Sequence, residues 1–260
     1  MTATDTLNAE PQARALPEPP AADAKLPRPR RRWLAALKAL HRLLRDKEDT
    51  GQVFEIMGAL AGNSTPKNYE RLLTTAQGGR LAYERVELEP RLMDDAWLDS
   101  FAPGSVGAAY REFVRGEQLS AQGLGDISRQ KRVDARHPWA WFGRRIRDTH
   151  DIWHVLTGYH RDALGEACLV AFSYAQTGSL GWALIALGAA LRSRGRNGVP
   201  YAQAIWQGYR RGKAAKWLPG EDYEALMSEP LEAARRRLGI TPATLYDSIP
   251  RELRDAAAAA

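Results

Sequence analysis

The chain has 260 residues, of which 44% are apolar, and a formal net charge of +6. This composition allows a sizeable buried core, and the single cysteine, Cys168, excludes an internal disulfide and fits a reducing compartment. The basic balance suits an anionic partner (nucleic acid, an anionic membrane surface or a carboxylate substrate) without choosing among them.

Residues 1–32 read as a disordered tail, rich in alanine and proline and ending in the cluster Arg28-Pro29-Arg30-Arg31-Arg32. Met1 to Leu26 has no apolar secretory core, and Asp5, Glu10, Glu18 and Asp23 are foreign to an acid-poor transit peptide, so a cytoplasmic protein is expected. One helical domain is expected over 33–250, with 251–260 as a flexible C-terminal tail. Trp33, Leu37, Leu40 and Leu44 stand at helical spacing, with Lys38, Arg42 and Arg45 elsewhere around the turn. Such a helix covers a core, and the basic cluster beside it suits weak contact with anionic lipid. Gln52 to Leu60 is a second amphipathic segment. The run Gly62-Asn63-Ser64-Thr65-Pro66 ends it and caps a helix from about Lys67 to Thr75, which Gly78-Gly79 is expected to break.

Asp94 to Asp99 is a short helical piece, and Pro103-Gly104-Ser105 opens a helix carrying Val106, Tyr110 and Phe113. Gly123-Leu124-Gly125 reads as a loop. Pro138 begins the longest helical region, interrupted near Gly158, Gly178 and Gly198; further helices are expected from Pro200 to Lys213 and from 230 to 238, the last stopped by Gly239. Strand alternation is scarce, so the fold class is mainly α. From Ala167 to Leu191 there are 25 residues without a charge, long enough to span a bilayer. Ser173, Tyr174, Gln176, Thr177, Gly178 and Ser179 interrupt that stretch, which predicts two buried helices around a turn. Helices apolar on all sides also suit the wall of a hydrophobic ligand tunnel. Cys168 lies inside this stretch and reads as a packing residue.

The run His150-Asp151-Ile152-Trp153-His154 carries the most chemistry. At about 100° per residue, the two histidines stack roughly 40° apart on one helix face and can grip one metal ion, as in the H-E-x-x-H arrangement. Asp151 takes the place of that motif's carboxylate, as a ligand or as the holder of a metal-bound water. Glu166 follows in a helix that folds back after Gly158, and it stands alone in apolar surroundings where an unpartnered carboxylate would be costly. The donor set suits zinc or iron(II). The plain alternative is a set of surface residues on an exposed helix face. His160 reads as a surface residue, and His41 and His137 as structural ones.

These residues resemble a ubiquinone (coenzyme Q) biosynthesis family whose hallmark is H-D-x-x-H-x11-E, met here by His150, Asp151, His154 and Glu166. Pro103-Gly104-Ser105-Val106-Gly107 with Tyr110, Arg147-Asp148-Thr149, Leu164-Gly165-Glu166, Gln176-Thr177-Gly178 and Leu238-Gly239-Ile240 are similar to further family elements. The likeness covers most of the chain after about residue 45, and is loosest between about 210 and 235. A Pro/Ala-rich tail stands where relatives carry a mitochondrial presequence.

The resemblance implies a metal, usually zinc, held by the four motif residues, and a polyprenylated aromatic substrate. It implies removal of the C1 carboxylate of a 4-hydroxy-3-methoxy-5-polyprenylbenzoate, with or without coupled hydroxylation, by a lyase; Asp151 is the nearest group to handle a proton there, unless it serves fully as a ligand. It also implies peripheral membrane association and a role in organising other ubiquinone-biosynthesis proteins. A homodimer at the inner membrane is the expected assembly. Arg144, Arg145 and Arg147 are candidates to meet the substrate carboxylate, or else form a solvated basic face. Two other readings remain: a prenyl-lipid-binding scaffold without turnover, and a metal-dependent hydrolase by analogy to H-E-x-x-H. No RNA- or DNA-binding motif stands out, so no nucleic-acid partner is expected.

Overall fold

A computed structural model of the chain describes residues 30–46, 49–116, 138–193 and 198–255. Most of the expected tail, the Gly123–Gly125 loop and His137 lie outside those residues. Among the described residues there is no strand, only an isolated antiparallel bridge between Ser105 and Pro230.

The first helices form one side of the core. Helix α1 (Trp33–Leu43) buries Ala36, Ala39, Leu40 and Leu43 against α2 (Thr50–Ala59), and leaves Trp33, Leu34 and Leu37 exposed. The buried stripe is therefore rotated from the one expected through Trp33 and Leu37, because the small side chains Ala36 and Ala39 permit the close approach. His41 is exposed on this helix rather than structural. Helix α3 (Ser64–Leu72) ends earlier than expected, and Gly78-Gly79 lies inside α4 (Ala76–Glu84) instead of breaking a helix. Thr75 caps α4 by accepting the Gly78 N–H at 3.0 Å, and a side chain at Gly78 would meet the Leu72 carbonyl, its Cβ only 1.9 Å away. The glycine is there for that contact. Two short helices follow, α5 (Glu89–Leu92) and α6 (Asp95–Asp99), and then α7 (Val106–Gly116).

The centre of the molecule is built from α8 (Pro138–Asp148), α9 (His150–Thr157), α10 (Ala163–Thr177), α11 (Leu180–Ser193) and α12 (Tyr201–Ala214). The uncharged stretch is two helices, α10 and α11, parted at Gly178 in the left-handed conformation (φ 66°). No helix among the described residues is long and apolar enough to cross a membrane. Of the 15 residues of α10, 11 are buried, so it is enclosed on nearly every side. Helix α12 reaches it at backbone distance: a Cβ at Gly208 would stand 2.5 Å from the Cys168 carbonyl oxygen, and one at Gly212 2.7 Å from that of Phe172. The two glycines are one turn apart, as are the two carbonyls, so they form a groove into which α10 fits. Cys168 is fully buried there and burial pushes its thiol far up, in keeping with a packing role.

The C-terminal part closes over this centre through a 3-10 turn (Leu218–Gly220), α13 (Tyr223–Leu226), α14 (Leu231–Leu238), α15 (Thr244–Asp247) and α16 (Arg251–Arg254). Gly239 terminates α14 with φ 68°, as expected. Residues 251–255, expected to belong to a flexible C-terminal tail, are ordered instead, and 256–260 lie outside the described residues: α16 is helical, and its Arg254 is buried over the Tyr246 ring with Nε donating to the Ile249 carbonyl. Two arginines, Arg211 of α12 and Arg235 of α14, hold α9 in place. Arg235 donates to the Val155 and Leu156 carbonyls at 2.8 and 3.0 Å, and Arg211 to the Thr157 carbonyl at 2.8 Å. These carbonyls end the helix and have no partner within it, so the guanidinium groups satisfy them and fix its position.

Candidate metal centre

Helix α9 carries both histidines of the motif, and it buries Ile152, Trp153, Val155 and Leu156 around them. His154 is itself buried, with 1% of its surface exposed. Its Nδ1 lies 2.9 Å from the Tyr159 carbonyl oxygen, which can only accept, so Nδ1 carries the hydrogen and Nε2 of the neutral ring carries the lone pair. That Nε2 is buried and has no hydrogen-bond partner. The ring is clamped by Phe113 of α7, stacked at 5.3 Å, and by the edge of His150 at 4.9 Å. His150 in turn stacks on Trp182 of α11 at 6.3 Å.

Glu166 arrives from the next helix. Gly158 ends α9 with φ 77°, and Asp162 opens α10 by accepting the Gly165 N–H at 2.8 Å. A side chain at Gly165 would collide with the His160 carbonyl, its Cβ 1.9 Å from that oxygen, so the tight turn requires glycine there. Glu166 therefore falls in the first turn of α10, where the helix N-terminus favours a carboxylate. Its oxygens lie 3.4 Å from His154 Nε2 and 3.5 Å from His150 Nε2. Burial works against its charge, but the two imidazoles outweigh that and hold its carboxyl far below the usual range. Burial likewise disfavours a charged His154, and Glu166 reverses the balance to raise its pKa.

These separations fit a cation between the groups. Two donors each about 2.1 Å from a tetrahedral ion stand about 3.4 Å apart. His150, Asp151 and His154 each offer a ligand atom within 4.8 Å of the others, and Glu166 reaches both imidazoles from outside that trio. Asp151 is half-buried and accepts no hydrogen bond among the described residues. Its charge is felt by Tyr110 of α7, whose phenol is pushed far up by burial first and by Asp151 second.

Residues 25–244 match the protein family described as coenzyme Q (ubiquinone) biosynthesis protein Coq4. The chain belongs to the Coq4 family. Among curated Coq4 proteins it is 28% identical over 189 residues to the mitochondrial ubiquinone biosynthesis protein COQ4 homolog of Rattus norvegicus, covering 72% of this chain and 70% of that one. It is 30% identical over 193 residues to mitochondrial COQ4 of Yarrowia lipolytica, covering 70% and 71%. Against the human homolog it is 25% identical over 193 residues, covering 74% and 71%. A crystal structure of a Nostoc punctiforme protein assigned to ubiquinone biosynthesis shares the fold, with a TM-score of 0.57 and 23% identity over 80% of this chain and 97% of that one. The Coq4 family membership makes ubiquinone biosynthesis the pathway in which this chain acts.

The arginines ahead of the Coq4 motif are not open to a ligand. Arg144 forks onto Glu87 at 3.1 and 2.5 Å. Arg145, only 3% exposed, forks onto Glu224 at 3.1 and 2.7 Å and lies over the rings of Trp141 and Tyr223. Arg147 bonds Glu89 at 3.2 Å and Asp148 at 2.8 and 2.5 Å. The expectation that these three meet a substrate carboxylate is thus corrected, since each already has one. Asp148 is buried behind them, and burial raises its carboxyl to about 6 against the pull of Arg147. The guanidinium at the cluster is Arg161, with Nε 3.6 Å from Glu166 Oε1. It sits between the second histidine and the glutamate, and its position inside the motif is the signal that singles it out. His160 beside it is exposed, as expected. A groove of about 780 Å³ lies elsewhere, along α12 and α15, and none of the cluster residues lines it.

Proposed function

We propose that this protein removes the C1 carboxylate from a 4-hydroxy-3-methoxy-5-polyprenylbenzoate, using one divalent metal ion held by His150, His154, Glu166 and Asp151. One observation supports it above the others: His154 Nε2 is buried without a hydrogen bond, 3.4 Å from the Glu166 carboxylate, so a cation between them would meet both donors. Leaving such an atom unsatisfied costs roughly 1–3 kcal/mol, and a bound cation removes that cost. Two imidazoles with one or two carboxylates suit zinc or iron(II), and such an ion would bind and polarise the carboxylate or a ring oxygen of the substrate.

The chain's own residues do the remaining work. The Tyr159 carbonyl keeps the His154 ring in one tautomer, and Phe113 and Trp182 keep both imidazoles from rotating. When the C1–carboxylate bond breaks, carbon dioxide leaves and C1 takes a proton. Asp151 stands beside both imidazoles without a hydrogen-bond partner and is the group assigned to relay a proton from water to C1, ending in its carboxylate form. The prenyl tail is assigned to the apolar face of α11 that begins at Trp182 and leaves Leu187 and Leu191 exposed. Helix α1, which exposes Trp33, Leu34 and Leu37 beside Arg30, Arg31, Arg32 and Lys38, is assigned to the inner-membrane surface. A homodimer working beside other ubiquinone-biosynthesis proteins completes this reading.

A second reading, a prenyl-lipid scaffold without turnover, draws on the apolar side chains that stay exposed outside the cluster, among them Leu187 and Leu191 of α11. Purified protein incubated with carboxyl-labelled substrate separates the two. The enzyme reading expects stoichiometric metal and label released as carbon dioxide, with both lost in His154→Ala. Metal-loaded protein that leaves the substrate intact, with motif variants keeping full lipid binding, would instead establish the scaffold.

A further inference from the structure

We infer that Arg161 is a dedicated anchor for the carboxylate of an aromatic acid, standing beside the metal cluster rather than in it. In naming the substrate this inference rests on the decarboxylase reading; the anchor itself rests on the turn between α9 and α10. Each neighbour of Arg161 in that turn is tied down. The Tyr159 carbonyl accepts from His154 at 2.9 Å, the His160 N–H donates to the Tyr246 hydroxyl at 3.1 Å, and Asp162 both caps α10 and accepts from Tyr246. Arg161 alone makes no hydrogen bond among the described residues, and its single contact, Nε to Glu166 at 3.6 Å, lies beyond hydrogen-bond range. Its side chain is 36% exposed. A guanidinium with five unspent N–H groups is thus held over the cluster by a fixed backbone, in contrast to Arg144, Arg145, Arg147, Arg211 and Arg235, which all have acceptors.

The charges agree with this assignment. The two carboxylates Asp151 and Glu166 balance a divalent cation held with neutral imidazoles. Arg161 then leaves the site with one positive charge, which matches a benzoate monoanion. A planar guanidinium takes a carboxylate through two parallel hydrogen bonds and so also orients the ring that bears it, which a point charge would not do.

The test compares two ligands by calorimetry on metal-loaded, full-length protein: a geranylated 4-hydroxybenzoate and the matching geranylphenol, which lacks the carboxylate. Wild type should prefer the acid. Arg161→Gln should weaken the acid by roughly 10- to 100-fold and leave the phenol unchanged, while Arg161→Lys should fall in between, with metal content equal in all three proteins. Equal loss for both ligands, no loss for either, or a wild type that shows no preference for the acid overturns the assignment. Carbon dioxide release is read separately. A wild type that prefers the acid but releases no carbon dioxide leaves the anchor standing and removes the decarboxylase reading alone.

Discussion

Helix α8 and the α9–turn–α10 hairpin are consecutive in the chain and both dense in ionisable groups, yet they end up in opposite states. In α8 each arginine is bonded to a carboxylate: Arg144 to Glu87, Arg145 to Glu224, and Arg147 to Glu89 and Asp148. In the hairpin the groups converge and stay short of partners, with His154 Nε2 buried and unbonded and Arg161 without a hydrogen bond. Charge density alone therefore does not mark a site. What marks it is convergence: the hairpin brings His150, Asp151, His154 and Glu166 within reach of one point, with His154 Nε2 still unbonded, whereas the α8 groups are each drawn to a separate partner.

The largest expected effect separates the two segments directly. His154→Ala should lose the metal, read as the metal-to-protein ratio after dialysis, whereas Arg144→Ala in α8 should keep it. Metal lost from both variants would erase the distinction. The next effect runs the other way. Arg145→Ala removes a buried fork from Glu224 and should lower the unfolding free energy of the metal-free protein by about 3–4 kcal/mol, measured by denaturant melts. A change below about 1 kcal/mol would mean that α8 is not held by these pairs.

How much of this was legible in the sequence follows from how far apart the partners lie. The histidine pair is one helical turn, so spacing alone places it on one face, and Gly158 and Gly239 announce helix ends that the structure contains. Glu166 was legible because only a short turn separates it from that face. The α8 pairings were not, since Arg144 and Arg145 find their carboxylates 57 and 79 positions away, and no local pattern encodes that distance. Gly78 misled for a related reason: as a breaker it looks like any glycine, while its actual role depends on the Leu72 carbonyl folding back over it. In α1 the large residues suggested one face and the alanines decided for another. Arg161 looks like an ordinary turn residue until the bonding of its neighbours is known.

A smaller effect tests the platform on which the hairpin rests. Gly208→Ala puts a methyl group where the Cys168 carbonyl lies and should cost about 3 kcal/mol of stability through displacement of α12 from α10. If the hairpin depends on that platform, metal affinity should fall in the same variant. Intact affinity would show that the cluster does not depend on the α10–α12 contact, with Arg235 of α14 still holding the end of α9.

The last effect bears on α8 at its junction with the hairpin, where Asp148 is buried beside Arg147 with one carboxylate oxygen unpaired. Burial raises its folded-state pKa to about 6, above the unfolded value near 3.9. Between those values the folded protein holds a proton that the unfolded chain has released, so this group favours folding at low pH and loses that contribution as pH rises through about 6. Asp148→Asn cannot titrate. In metal-free protein, the stability of wild type relative to this variant should therefore increase by about 2 kcal/mol as pH falls from about 7 to about 4. Other titrating groups are common to both proteins and cancel in the difference. A difference that stays flat with pH would mean that Arg147 neutralises Asp148 fully, and that the pairing in α8 is complete up to the edge of the metal site.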